Sequence, residues 1–259
     1  MHANQTIPPP NDHFALPSWC AALTRRAPRS HLEAQSPALF RHVPGVLPAD
    51  ERRRWLSGIY AARANWTPCF EDVQFTLGRA YYTHLEEGRE AEYFAGALAS
   101  DQAVERAVPG LQARVRALAT ELVRAPVTPR QGWCGPGVHI FPAGQWLSRH
   151  GGDVHFDTEG LRAHELAARA PALSLVLMLQ PPERDGGLRL WDVRYEGQGD
   201  DAPPDVASRP SVVVDYAPGD LLVFDSYRLH QILPFEGGRD RVSVTAHLVL
   251  GPLGWEAWF

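Results

Sequence analysis

After Pro129 the chain breaks into short β-prone runs divided by turn residues, and this texture restricts the possible folds more than any other feature. Residues 137–141, 173–179, 188–191, 211–215, 220–224 and 242–250 are rich in Val, Leu, Ile and Phe, and Gly, Pro and Asp separate them. Many short strands at close spacing predict a barrel or jelly roll. One helix over 161–170, ending before Pro171, interrupts the series.

The region upstream reads differently. Residues 38–48 suggest a strand and turn, and Pro48 then opens a helix whose Asp50 and Glu51 suit its N-terminal dipole. Trp55, Ile59 and Tyr60 form its expected buried stripe. Residues 65–76 predict one or two strands. Val104, Val108, Leu111, Val115, Leu118 and Leu122 recur at helical spacing, predicting two helices over 90–125 divided near Pro109-Gly110. The expected fold class is therefore mainly β with flanking helices, the N-terminal helices buttressing a sheet. Residues 1–36, rich in Pro, Arg, Ser and Ala, read as an extended or partly ordered arm. Residues 37–259 read as a single domain, with 37–129 as a support layer and 130–250 as the jelly-roll core.

Composition narrows the partners. A formal net charge of −5, with acids and bases well mixed, provides no basic face for nucleic acid and no polybasic run for an anionic membrane. A small-molecule substrate fits best, and oligomeric state is not legible. Cys20, Cys69 and Cys134 are scattered and odd in number, arguing against a disulfide framework or a structural zinc site and for a reducing cytoplasm. Residues 1–10 lack a charged segment followed by an apolar one, and no stretch is long enough to span a bilayer.

Candidate chemistry centres on His155-Phe156-Asp157 and His230. On an extended segment, residues at i and i+2 face the same side, so His155 and Asp157 can point inward together while Phe156 points away. His230 follows Pro218-Gly219-Asp220 and an apolar run, a turn and buried strand whose antiparallel pairing can return it to His155. Two imidazoles and a carboxylate on one face of an octahedral ion leave three positions open, an arrangement suited to non-heme Fe(II). A His-x-Asp pair alone is weak, because the chain has 11 histidines. The ordered set, with an arginine further along on the last long strand, is much more specific.

The segments His155-Phe156-Asp157, Pro218 through Asp225, His230 through Pro234 and Gly238 through Ser243 resemble the C-terminal half of the Fe(II)- and 2-oxoglutarate-dependent dioxygenases, particularly the prolyl-hydroxylase-like branch. The resemblance covers residues 130–250. It implies a double-stranded β-helix core, with His155, Asp157 and His230 as iron ligands and as the catalytic centre. It also implies that Arg241 and Ser243 bind the far carboxylate of 2-oxoglutarate, with dioxygen as the oxidant. A planar guanidinium suits that carboxylate through paired, charge-assisted hydrogen bonds. Arg239, two residues earlier in a Gly-rich turn, is the competing anchor if the register shifts.

Strand alternation offers substrate candidates. Arg189 and Trp191 share one face of their run, and Trp133 and His139 precede the metal motif; the bland reading makes them rim, core or wall residues. His247, at an even offset from Arg241 and Ser243, can line the same interior, but its default reading is a satisfied core histidine. Residues 194–209 suggest a surface loop able to act as a lid, and the Trp-rich segment 254–259 is expected against the helical layer or another molecule. The expected activity is hydroxylation of an unactivated C–H bond in a small molecule such as an amino acid or biosynthetic intermediate. The alternatives are a peptidyl (prolyl-type) hydroxylase, a halogenase using His150-Gly151-Gly152, a zinc hydrolase, and a non-catalytic metal-binding sensor.

Overall fold

The computed structural model describes residues 39–197 and 202–259. The expected N-terminal arm lies outside the described residues, as do residues 198–201 of the expected lid. The chain starts with strand β1 (Phe40–Val43), helix α1 (Ala49–Ala61), strands β2 (Thr67–Cys69) and β3 (Gln74–Leu77), and helices α2 (Tyr81–Glu86), α3 (Glu90–Ala107) and α4 (Leu111–Val123). Next come β4 (Val127–Pro129), β5 (Gly137–Phe141), α5 (Trp146–His150), α6 (Ala163–Ala167), β6 (Ala172–Gln180), β7 (Arg184–Asp185) and β8 (Leu188–Arg194). The C-terminal part holds β9 (Ser211–Val214), β10 (Leu221–Asp225), β11 (Arg228–Ile232), β12 (Phe235–Glu236), β13 (Arg241–Gly251) and β14 (Gly254–Trp258). No described helix is long and apolar enough to cross a membrane.

The large sheet runs β1-β10-β6-β13-β5-β3-β2, with β14 adding to β13 and to β4. Strands β11-β8-β9 form a smaller sheet. The period-2 alternation of side chains decides what each face of the large sheet meets. On β6, Leu173, Leu175, Leu177 and Leu179 join the core shared with Trp55 and Ile59 of α1, Val104 of α3 and Leu111, Val115 and Leu118 of α4. The intervening Val176 and Met178 pack with Leu188 and Leu190 of β8. Both faces of β6 are thus covered, which explains why it reads as an almost unbroken apolar run rather than a clean alternation. Burying each of these aliphatic side chains contributes about 1.5–3 kcal/mol.

The same alternation governs β13 and β5. Val242, Val244, Ala246 and Leu248 face the helical layer, as do Val138 and Ile140. Arg241, Ser243, Thr245 and His247, together with His139 and Phe141, therefore point the other way and line a cavity.

Several local expectations need correction. The helix expected over 161–170 is only Ala163–Ala167. Glu165 accepts from the Arg162 backbone N–H and from buried Arg130, and Arg169 takes a left-handed conformation that ends the turn. Tyr60 of the expected apolar stripe is half-buried, because its hydroxyl bonds Asp240 and Gln180. The segment 254–259 forms strand β14 inside the large sheet. Trp255 faces the helical core as expected, whereas Trp258 and Phe259 line the cavity. Helices α2 and α5, too short to show periodicity, were not anticipated.

Candidate metal centre and its cavity

His155 lies in an irregular segment and makes a single antiparallel bridge to His230 of β11, not the strand expected from its spacing. Reciprocal backbone hydrogen bonds between them, 3.1 and 2.9 Å, bring the two imidazoles to 4.2 Å between ring centres. Asp157 is fixed by its N–H to the Ser226 carbonyl at 2.9 Å. Phe156, between them, packs away from the site against Trp191, Val193 and Leu229. A register irregularity in β11–β8 between Arg228 and His230 adjoins the site, a common place for bulges that re-aim a side chain.

The three side chains converge. Each offers a ligand atom, all within 4.8 Å of one another. Both histidine Nε2 atoms lie 3.5 Å from Asp157 Oδ1. Each Nδ1 sits against a backbone carbonyl two residues upstream, His155 on Asp153 at 2.8 Å and His230 on Arg228 at 2.9 Å. The Nδ1–H tautomer that satisfies those carbonyls leaves the Nε2 lone pairs facing the shared point, the usual support of a metal-bound histidine. Burial alone would depress His155, but the Asp157 carboxylate overcomes it and raises the imidazole to about 9, so a metal ion binding at His155 Nε2 would displace a proton. Burial would raise Asp157, yet His230 and His247 hold it well below the ordinary carboxylate range. A buried, ionised carboxylate beside two imidazoles is a donor set that fits a divalent cation, with nitrogen and oxygen ligands on one side only.

Behind the triad stands a polar shelf whose serines sequence reasoning missed. Ser174 Oγ donates to Asp157 Oδ2 at 2.5 Å and lies 2.9 Å from Ser226 Oγ. His247, expected in the core, lines the cavity with Nδ1 3.8 Å from Asp157 Oδ2, and burial lowers its pKa. Ser174 had left a trace: it is the lone polar residue within the apolar run of β6.

The cavity holds about 420 Å³, within the range of small-molecule sites. Arg241 is 1% exposed in its wall. Its guanidinium donates weakly to Ser243 Oγ at 3.3 Å and to Tyr216 Oη at 3.4 Å, and Nε has no partner. No carboxylate among the described residues pairs with it. A buried cation without a counter-charge is costly unless an anion completes it. Arg239, by contrast, is exposed in its turn.

The other substrate candidates separate. His139 lines the cavity, stacked on Phe141 and edge-on to Phe259. Arg189 and Trp191 do not: the cavity face of β8 presents Leu188, while Trp191 is buried in the Phe156 cluster with Arg189 beside its ring. The alternation was read correctly but the inward face was the opposite one. Trp133 sits behind the wall, packed on Tyr81 and Trp258. His150 is exposed and stacked on Trp146, outside the triad. Gly151-Gly152 is no free turn: at φ +80°, Gly151 lies where a Cβ would come within 2.6 Å of the Ile232 carbonyl, and Gly152 N–H donates to that oxygen.

No family model and no curated protein matches this sequence. The fold is nonetheless that of the Fe/2-oxoglutarate-dependent oxygenases, a jelly roll with the cavity between its sheets. The N-substituted L-amino acid dioxygenase of Burkholderia ambifaria, solved with alpha-ketoglutarate, is similar over 93% of this chain and 90% of its own, with a TM-score of 0.55 and 16% identity. AviO1 from Streptomyces viridochromogenes is similar over 83% of this chain and 91% of its own, also with a TM-score of 0.55 and 16% identity. The epimerase SnoN, solved with Fe3+, alpha-ketoglutarate and nogalamycin RO, is similar over 82% of both chains with a TM-score of 0.50 and 16% identity.

Proposed function

We propose that this chain is an Fe(II)- and 2-oxoglutarate-dependent oxygenase that hydroxylates an unactivated C–H bond of a small molecule. The observation that carries the reading is the buried, acid-free Arg241 in the same cavity as the His155–Asp157–His230 cluster. The cluster supplies a divalent-metal donor set, and the arginine supplies the missing half of a dicarboxylate site. A zinc hydrolase gives Arg241 no duty. The solved proteins of this fold include a dioxygenase for N-substituted amino acids and an epimerase bound to nogalamycin RO, both small-molecule proteins.

In this reading His155, Asp157 and His230 hold Fe(II), and 2-oxoglutarate places its far carboxylate on Arg241 and Ser243. The bound iron, 2-oxoglutarate and dioxygen supply the oxidising power for C–H cleavage, with succinate and carbon dioxide released. Everything else the chain contributes is placement. Ser174 fixes the carboxylate that points at the metal, the backbone carbonyls of Asp153 and Arg228 fix both imidazoles, and the apolar walls Val176, Leu188 and Phe224 exclude water. No side-chain general base is called for.

Anaerobic addition of Fe(II) and 2-oxoglutarate should give the visible charge-transfer absorption of the chelate, and admitting oxygen should yield succinate. His155→Ala and Asp157→Ala should abolish both. A folded wild-type protein without the absorption overturns the reading.

A further inference from the structure

Two carboxylates, Glu86 and Asp153, line the cavity with no arginine or lysine paired to them among the described residues. Arg241 is the one arginine among the lining residues, and the chain contains no lysine. Under the oxygenase reading, on which this inference rests, that guanidinium is occupied by 2-oxoglutarate. Glu86, the last residue of α2, and Asp153, two residues before His155, both line the cavity from exposed positions. Several carboxylates elsewhere are paired with arginines: Glu165 with Arg130, Asp225 with Arg194, Glu236 with Arg184. Among the described residues, the Glu86 and Asp153 side chains have no such partner. Burial raises the Glu86 carboxyl against the pull of His155, and the Asp153 carboxylate raises it further.

Deeper in, His139 is 6% exposed and its Nδ1 has no hydrogen-bond partner. A buried polar atom of this kind normally has one, and the ring lines the cavity. The remaining lining is mostly apolar and partly aromatic. Tyr82 and Trp146 line the cavity, Trp146 being 50% exposed, and Phe70 reaches it from a hairpin tip where Phe70, Glu71 and Asp72 all have positive φ. Ring faces and carboxylates together favour a cation, and neither favours an anion.

We propose that the substrate is a cationic amine on an apolar, ring-sized body. Its ammonium is held by Glu86 and Asp153 at the mouth, its body lies against Tyr82 and Trp146, and His139 hydrogen-bonds a polar atom further in. Hydroxylation then balances as in the oxygenase reaction. One oxygen atom of dioxygen enters the C–H bond, the other enters succinate, and 2-oxoglutarate loses carbon dioxide.

The test is calorimetric titration, without oxygen, of the protein with and without Fe(II) and 2-oxoglutarate, using three matched probes: 2-phenylethylamine, 2-phenylethanol and 3-phenylpropionate. In the protein loaded with Fe(II) and 2-oxoglutarate, where Arg241 is occupied, the amine should bind about tenfold more tightly than the alcohol, a difference of about 1.4 kcal/mol, and the carboxylate most weakly. Glu86→Gln should remove most of that preference, and Glu86→Arg should invert the order of amine and carboxylate, which misfolding cannot do. Equal binding of the three, failure of all three to bind, or an unchanged preference in Glu86→Arg overturns the proposal. A protein that prefers the amine but never forms the charge-transfer absorption refutes the oxygenase reading instead.

Discussion

Ser174 Oγ donates to one oxygen of Asp157, 2.5 Å away, and so leaves the other oxygen 3.5 Å from both histidine Nε2 atoms. The carboxylate is thus divided between a supporting bond and an open lone pair. Ser174→Ala should free Asp157 to rotate and should weaken Fe(II) binding by about 10–100-fold, the usual cost of removing such a support. Titration with Co(II), followed by its visible absorption, measures this without turnover. Unchanged affinity would show that Asp157 is held by its backbone alone.

Arg241 makes the opposite kind of claim on stability. Its guanidinium is buried with only two long contacts, to Ser243 and Tyr216, and no acid. Arg241→Met should raise the 2-oxoglutarate concentration needed for half-maximal succinate formation by at least about 30-fold, as expected when a charged group loses a bond worth about 2 kcal/mol or more. The same substitution should leave the melting temperature of the ligand-free protein unchanged or higher, because replacing an uncompensated buried charge by a packed apolar chain is often neutral or stabilising. A lowered melting temperature would mean that the arginine serves the fold.

Much of this arrangement was readable from the chain, for physical reasons. The runs that form β5, β6, β8, β9, β10 and β13 were legible because turn residues bracket them, and α3 and α4 because their apolar residues keep helical spacing across Pro109-Gly110; β7, β11 and β12 were not, and the His230 segment read as a loop. Two-residue steps put His155 with Asp157, and Arg241 with Ser243, on one side of their segments, whereas the grouping of these pairs with His230 came from the family resemblance. Which side was inward on β8 could not be read, since both faces of that strand are buried: Trp191 in one cluster, Leu188 and Leu190 in another. Phe70, Glu86 and Trp146 reach the cavity from a hairpin tip and two short helices. Their placement depends on tertiary packing, which leaves no local pattern.

Gly137 and Phe259 are matched in shape. A Cβ on Gly137 would lie 2.1 Å from the Phe259 ring, which forms part of the cavity wall. Gly137→Ala should cost about 1–3 kcal/mol through this overlap. Phe259→Ala alone should also destabilise, by opening a void. The double variant should recover part of the loss, giving a coupling energy of about 0.5–3 kcal/mol in a denaturation cycle. Additive losses would place the strain of Gly137→Ala elsewhere.

The turn that delivers His230 has its own acid sensitivity. Asp220 is 4% exposed; its carboxylate accepts from the backbone N–H groups of Gly45 and Ala217, each at 2.9 Å, and lies 2.8 Å from His42 Nε2. Burial would raise its pKa, but these donors outweigh burial and lower it. A carboxylate depressed in the folded state contributes stability that is complete above its unfolded value of about 3.9 and is lost as pH falls through the folded value. Wild-type stability should therefore decline below about pH 4, and in Asp220→Asn this part of the decline should disappear. The variant should also be about 1–3 kcal/mol less stable at neutral pH, since an amide cannot satisfy both backbone donors and His42 equally well. Urea denaturation at pH 7 and at several values below 4 measures both effects, and parallel curves for the two proteins would show that Asp220 does not set the acid limb.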